Sequence, residues 1–108
     1  MIPMTVHVKI KKGDSGTTYE FTIEDVNLSN VEGYTAKIYI WKGTTKLVDG
    51  GTCSSAFSDP DTIVTYVTTT AASATVGIWN AEIEFTKTGY EETTKTFEWE
   101  VEESSPEA

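Results

Sequence analysis

The stretch from Gly77 to Thr86 constrains the fold of this chain more than any other part of the sequence. From Trp79 onward apolar and polar residues alternate without a break. A period of two over this length is typical of a β-strand with one buried face. Because this strand has the most apolar face in the chain, we expect it to be the central strand of a β-sandwich. The residues that we expect to form the core are Trp79, Ile83 and Phe85 from this strand and Trp99 from the last strand.

Six further segments carry strand patterns, and clusters of turn-forming residues separate them. They are Thr5–Ile10, Thr17–Glu24, Tyr34–Lys42, Lys46–Val48, Ile63–Thr68 and Thr94–Glu102. The sequence predicts loops at 52–61 and 69–76, and no segment has the pattern of a helix. About seven short strands with regular turn signals predict an all-β fold, an immunoglobulin-like β-sandwich of antiparallel strands. The first two strands could form a hairpin or could cross between the two sheets.

The chain has 108 residues, which favours a single domain. We expect that domain to span residues 1–103 and residues 104–108 to form a flexible tail or the start of a linker. No apolar run approaches membrane-spanning length, and the N-terminus lacks the pattern of a signal peptide. Cys53 is the single cysteine, so no internal disulfide can form, which favours folding in a reducing cytosol.

The charge of the chain excludes some classes of partner. The formal net charge is −9, and the positive charges come from eight lysines with no arginine. Nucleic acids and acidic membrane surfaces attract basic proteins, so we expect neither as a partner.

The residues of catalytic and metal sites are scarce. His7 is the single histidine, so a zinc site would have to combine it with Cys53 and distant carboxylates. No Gly-x-Ser-x-Gly motif accompanies it, which disfavours serine hydrolase chemistry. Asp59 and Asp61 flank Pro60 and could bind calcium, although this pattern is more typical of a plain turn. We therefore expect no enzyme, no metal and no cofactor.

Glutamates alternate on the polar faces of the last two long strands. If these strands pair, they form a carboxylate patch that includes Glu82, Glu84, Glu98, Glu100 and Glu102. Paired carboxylates in a cleft can hydrolyse glycosides. An exposed flat face offers no such cleft, so the pattern favours a solvated surface.

Tyr39 and Trp41 are predicted to lie on the outward face of the third strand. Exposed aromatic side chains can stack on sugars or anchor a protein partner. Alternatively, the predicted edge strand from Lys46 to Val48 could cover Trp41. Lys42 and Lys46 would suit an acidic patch on a partner, including the glutamates of another copy. The sequence therefore predicts an assembly contact at Tyr39, Trp41 and Lys46.

Several short motifs occur together from Leu28 onward. They are Leu28-Ser29, the run from Ala36 to Gly43, Val64-Thr65-Tyr66 and the run from Gly77 to Phe85. In this combination the chain resembles the N-terminal immunoglobulin-like domain of phage baseplate upper proteins and related virion modules. The resemblance implies a structural role in particle assembly and no catalysis, and it carries over no functional residues.

The function that we expect from the sequence is therefore a non-catalytic structural or interaction module of a phage or prophage particle, in the tail, the baseplate or the capsid. Its partners would be protein subunits of the particle, with copies of the same chain as one option. The protein would be made in the bacterial cytoplasm and reside in the virion. The alternative is a carbohydrate-binding module that uses Tyr39 and Trp41.

Overall fold

The computed structural model describes residues 6–23, 35–58 and 61–103, and this part of the chain is built mainly from β-strands. In chain order they are β1 (His7–Lys11), β2 (Thr18–Ile23), β3 (Thr35–Lys42), β4 (Thr45–Ser58), β5 (Asp61–Val67), β6 (Gly77–Lys87), β7 (Tyr90–Thr93) and β8 (Phe97–Glu102). One 3-10 helical turn, Thr70–Ser73, precedes β6. No helix in this part of the chain is long and apolar enough to cross a membrane. Asp59 and the predicted tail at 104–108 lie outside the described residues.

The strands form two layers that share β4. The first, which we call the β6 layer, has the order β1, β8, β6, β3 and the first part of β4, with β7 paired to β6. The second, the β5 layer, consists of the end of β4, β5 and β2. Strands 3, 6 and 8 in one layer facing strands 2, 5 and 4 in the other is the strand arrangement of immunoglobulin domains. The predicted all-β, immunoglobulin-like sandwich is confirmed, with β6 between β8 and β3.

The pairing of β1 resolves the alternative that the sequence left open. β1 pairs with β8 in the β6 layer, whereas β2 pairs with β5 in the other layer, so the chain crosses between sheets after β1. The β1–β8 pairing is parallel, from His7 opposite Glu98 to Lys11 opposite Glu102. The prediction of antiparallel strands is therefore wrong for this pair. Parallel neighbours need a long connection, and here most of the domain lies between them.

The predictions for the fourth strand are also wrong. A short strand at Lys46–Val48 and a loop over 52–61 were expected from the glycines and serines, but β4 is one strand of 14 residues. Its pairing with β3 shifts register twice, between Ile38 and Tyr39 and between Ile40 and Trp41. Gly50, at φ 85°, occupies one of these irregularities. A bulge at a glycine bends a strand without ending it, so β4 can pass from one layer to the other.

The core lies between the layers and centres on Trp99. The structure buries all four residues predicted for it: Trp79 is 4% exposed, and Ile83, Phe85 and Trp99 are each 0% exposed. The Trp99 ring packs edge-on against Tyr19 of β2 and Tyr66 of β5, at centroid distances of 5.5 and 6.1 Å. It therefore joins the layers from the centre of the core, whereas the sequence predicted the centre at the strand that contains Trp79.

Both buried indoles also hold the segment before β6. The Trp99 Nε1–H donates to the carbonyl of Ala72 at 2.8 Å, and the Trp79 Nε1–H donates to that of Thr75 at 3.1 Å. In immunoglobulin domains a tyrosine near the start of the strand that corresponds to β6 bonds back to the chain a few residues upstream, as Trp79 does here. Burying these polar N–H groups costs little here because both are hydrogen-bonded.

Candidate functional site

An open cleft lies on the outer face of the β6 layer, next to the β4 edge. It has a volume of about 230 Å³ and is lined by Tyr39, Trp41, Lys46, Val48, Asp49 and Glu82. We call it the aromatic cleft. The structure thus brings together all three residues of the predicted contact, Tyr39, Trp41 and Lys46.

Strand pairing explains the order of the side chains in the cleft. Tyr39 and Trp41 are two residues apart on β3 and so project from the same face. Tyr39 lies opposite Asp49 on one side and Glu82 on the other. Trp41 lies opposite Lys46 of β4 and Asn80 of β6. An aromatic ring flanked by two carboxylates thus lies beside an aromatic ring flanked by a lysine.

Both aromatic side chains of the cleft are half-buried. The alternative that the Lys46–Val48 segment covers Trp41 therefore holds in part. Lys46 and Val48 line the cleft beside Trp41, but the cleft stays open to solvent. A half-buried aromatic ring with one open side is suited to a contact with another molecule.

The ionic contacts leave one carboxylate of the cleft without a cationic partner. The Lys46 ammonium lies 3.4 Å from Asp49 Oδ2, and the Tyr39 hydroxyl donates to Glu84 Oε1 at 3.3 Å. Glu82 forms no ion pair with a described residue. Burial raises the pKa of Glu82, and the negative charge of Glu84 raises it further. Burial, followed by the charge of Glu84, likewise raises the pKa of the Tyr39 phenol.

The lysines near the cleft are already engaged within the domain. The Lys42 ammonium lies 5.9 Å from the centroid of the Trp79 ring, and Lys46 is held by Asp49. The cleft itself contains two carboxylates and one ammonium group. This balance favours a cationic group on the partner, rather than the acidic patch that the sequence suggested.

The zinc hypothesis is not supported by the positions of His7 and Cys53. His7 is on β1 and Cys53 on β4, at opposite edges of the β6 layer. Burial raises the pKa of the Cys53 thiol to about 12, so the thiolate that binds zinc is scarce at neutral pH. Across the residues that the structure describes, no group of three histidine, cysteine or acidic side chains could hold a metal ion.

The predicted carboxylate patch is divided in two by the strand register. β6 and β8 do pair, but Asn80 lies opposite Glu98 and Ile78 opposite Glu100. Glu98 and Glu100 instead hold the two ring nitrogens of His7, each at 2.8 Å. Of the other three, Glu102 lies 3.9 Å from the Lys11 ammonium, whereas Glu82 and Glu84 lie at and beside the aromatic cleft. The glutamates therefore form two separate groups, one around His7 and Lys11 and one at the aromatic cleft, and do not form one continuous patch.

The comparisons with known proteins give distant structural neighbours. No family model and no curated protein sequence matches the chain. The M1 domain from titin has 11% identity over 95% of this chain and 91% of its own length, with a TM-score of 0.37. A chain of the titin M10–obscurin-like 1 Ig complex has 12% identity over 95% and 88%, with a TM-score of 0.36. The fold assignment therefore depends on the strand order and pairings described above.

Asp49 is a residue of the cleft that the sequence did not predict. Val48 was expected only in the strand that could cover Trp41, and Glu82 only in the carboxylate patch. Asp49 precedes two glycines, a pattern that predicts a turn and so an end of the strand at Val48. The residues after Gly51, from Thr52 to Ser58, mix polar and apolar side chains without a regular period, so the sequence carries no signal that places Asp49 in a continuing strand.

Glu82→Gln is expected to stabilise the domain at pH 7 by about 0.2–1 kcal/mol, a small amount because the carboxylate is partly exposed. Folding raises the pKa of Glu82. The protonated carboxyl therefore stabilises the folded state below the ordinary glutamate pKa, and this stabilisation is lost as the pH rises through the pKa of the folded state. Glutamine stays neutral, so its advantage should disappear below about pH 4.3. Urea midpoints at several pH values measure this. Equal effects from the exposed control Glu20→Gln would contradict it.

Proposed function

We propose that this chain is a non-catalytic interaction module and that the aromatic cleft is its contact surface for a protein partner. The observation that carries the proposal is the convergence of two half-buried aromatic rings and a lysine in one open cleft. Aromatic side chains supply most of the binding energy at many protein interfaces, because they bury a large rigid surface at low entropic cost.

The size of the cleft fits one side chain of a partner. At about 230 Å³ it is smaller than the sites of about 300–1,000 Å³ that enclose drug-sized ligands. A contact of this size is weak between two free domains. In an assembly with many copies, however, effective concentration multiplies small contacts into strong attachment.

Sedimentation of the isolated domain tests the contact. We expect the wild type to be mainly monomeric in dilute solution and to associate weakly as its concentration rises. Trp41→Ala should weaken that association because it removes the larger ring of the cleft. The matched control is Ile78→Ala, which truncates a side chain that is 55% exposed on the same face but outside the cleft.

Two results would count against this contact. One is the same concentration dependence in the wild type and in Trp41→Ala. The other is an equal loss in Ile78→Ala, which would indicate general surface hydrophobicity instead of a specific cleft.

The finer proposal is that the module belongs to a phage or prophage particle, as a part of the tail, the baseplate or the capsid surface. It is supported by the resemblance of two runs, from Ala36 to Gly43 and from Gly77 to Phe85, to the immunoglobulin-like domain of baseplate upper proteins. Mass spectrometry of particles purified from the source bacterium should find this chain in stoichiometric amounts. Its absence from particles, or a gene neighbourhood without tail or capsid genes, would contradict the proposal.

A second candidate function, carbohydrate binding, is favoured by the carboxylates beside the rings. Sugars stack on aromatic faces, and Asp49 and Glu82 could accept hydrogen bonds from hydroxyl groups. A glycan array distinguishes the two functions. Binding of a defined glycan that is lost in Trp41→Ala and kept in Ile78→Ala would favour the carbohydrate function over the protein contact.

A further inference from the structure

The two edges of the β6 layer present different charged side chains. The order of the layer is β1, β8, β6, β3 and the first part of β4, so β1 and β4 are its two edges. The aromatic cleft lies at the β4 edge. β1, at the other edge, exposes His7, Lys9 and Lys11 on alternating positions.

Of the three basic residues on β1, Lys9 is the one that forms no ion pair with a described residue. His7 lies between Glu98 and Glu100, and the Lys11 ammonium lies 3.9 Å from Glu102. The Lys9 side chain is exposed and pairs with no acidic group among the residues described. A lysine with a free ammonium and a flexible stem can reach into a shallow cleft on another molecule.

The cleft has the opposite property. Its lysine is held by Asp49, whereas Glu82 is half-buried and has no cationic partner in the part of the chain that the structure describes. The charge of Glu84 nearby makes the ionised form of Glu82 less favourable still. An ammonium group placed between Glu82 and the two rings would offset this repulsion and gain cation–π attraction.

We propose that Lys9 of one copy enters the aromatic cleft of the next copy and pairs with Glu82, so that copies join head to tail through opposite edges of the β6 layer. This proposal rests on the proposed function of the cleft as a protein contact. The chain has no arginine, so the side chains of a second copy that carry a full positive charge at neutral pH are its lysines. A heterologous contact of this kind leaves a free edge at each end and can close into a ring or extend.

Side chains, and not strand addition, carry this contact. The register of β4 shifts twice where it forms the edge, and bulges disfavour pairing with another strand. On β1 the carbonyl of Lys9 already accepts a hydrogen bond from the Tyr19 hydroxyl at 3.0 Å. The backbone edges therefore do not match, whereas the exposed charges do.

Reversal of the two charges tests the pairing by sedimentation. Lys9→Glu alone and Glu82→Lys alone should each lower the association constant about tenfold or more, because like charges then meet at the contact. An equimolar mixture of the two variants should restore association, since each variant then keeps one edge that complements the other. The controls Lys95→Glu and Glu20→Lys change net charge by the same amounts at exposed positions elsewhere and should not be rescued by mixing.

Glu82→Gln provides a second variant that removes the charge without reversing it, and it should weaken association about threefold. If Trp41→Ala weakens association but the mixture of charge-reversed variants restores nothing, the pairing of Lys9 with Glu82 is wrong while the cleft remains a contact surface. If Trp41→Ala also has no effect, the proposed function fails as well. A wild type that stays monomeric at all concentrations would overturn the copy-to-copy contact.

Discussion

Replacing Trp99 by alanine is expected to lower the free energy of unfolding by about 3–5 kcal/mol, as is usual for the loss of a large buried aromatic side chain. The ring is fully buried and packs on Tyr19 and Tyr66 of the opposite layer. Its removal would leave a cavity between the layers and would orphan the carbonyl of Ala72. Because small domains are stable by about 5–15 kcal/mol, this one change removes a large share of the total stability.

Urea denaturation followed by far-ultraviolet circular dichroism measures this effect. Trp99→Phe should fall between the wild type and Trp99→Ala, because it keeps much of the packing and loses the indole hydrogen bond. Asn80→Ala on the outward face of β6 should change the free energy of unfolding by no more than about 0.5 kcal/mol. A Trp99→Ala midpoint equal to that of Asn80→Ala would refute the assignment of Trp99 to the centre of the core.

Gly51→Ala is expected to destabilise the domain by about 1–3 kcal/mol, the typical cost of overpacking a core. A Cβ atom at Gly51 would lie 2.9 Å from Val48 Cγ1, 3.0 Å from Ile38 Cγ2 and 3.2 Å from Tyr66 Cε1. Two of these neighbours are β-branched side chains, which have few rotamers available to move aside. The glycine therefore provides the space through which β4 passes on its way between the layers.

The matched control for Gly51→Ala is Thr52→Ala, at the next position along β4, where the side chain is exposed. It should shift the urea midpoint by an amount within the scatter of ordinary surface substitutions. If Gly51→Ala is as stable as the wild type, the close approach of β4 to Ile38 and Tyr66 is not maintained in solution.

The sequence predicted the parts of the fold in which one face of a strand is buried and the other is wet. β6 and β8 are such strands, and their alternating patterns identified the buried residues Trp79, Ile83, Phe85 and Trp99. β4 has no such pattern, because it lies at an edge of one layer and then crosses to the other. Its glycines and serines allow the strand to bend from one layer to the other, but a segment rich in them has the composition of a loop.

The partners of the strands could not be predicted in the same way. Alternation shows which face of β1 is buried, but it does not show that β8 is its neighbour or that the two run parallel. The same limit applies to the site. The outward positions of Tyr39 and Trp41 follow from the period of β3, whereas the placement of Asp49 and Glu82 beside them depends on the register of three strands.

The central claim is that a partner reaches the outward face at Trp41 while the core remains unchanged. The three tryptophans make this claim testable in one sample. The indole N–H groups of Trp79 and Trp99 are hydrogen-bonded inside the domain, whereas Trp41 lines the aromatic cleft. A change in association should therefore alter the environment of one indole and leave two unaffected.

The most direct measurement is the position of the three indole ¹⁵N–¹H signals in NMR spectra recorded over a dilution series. The account predicts that the Trp41 signal moves progressively with protein concentration and that the signals of Trp79 and Trp99 stay in place. If the domain associates while the Trp41 signal stays fixed, or while the core indoles move instead, the aromatic cleft is not the contact surface.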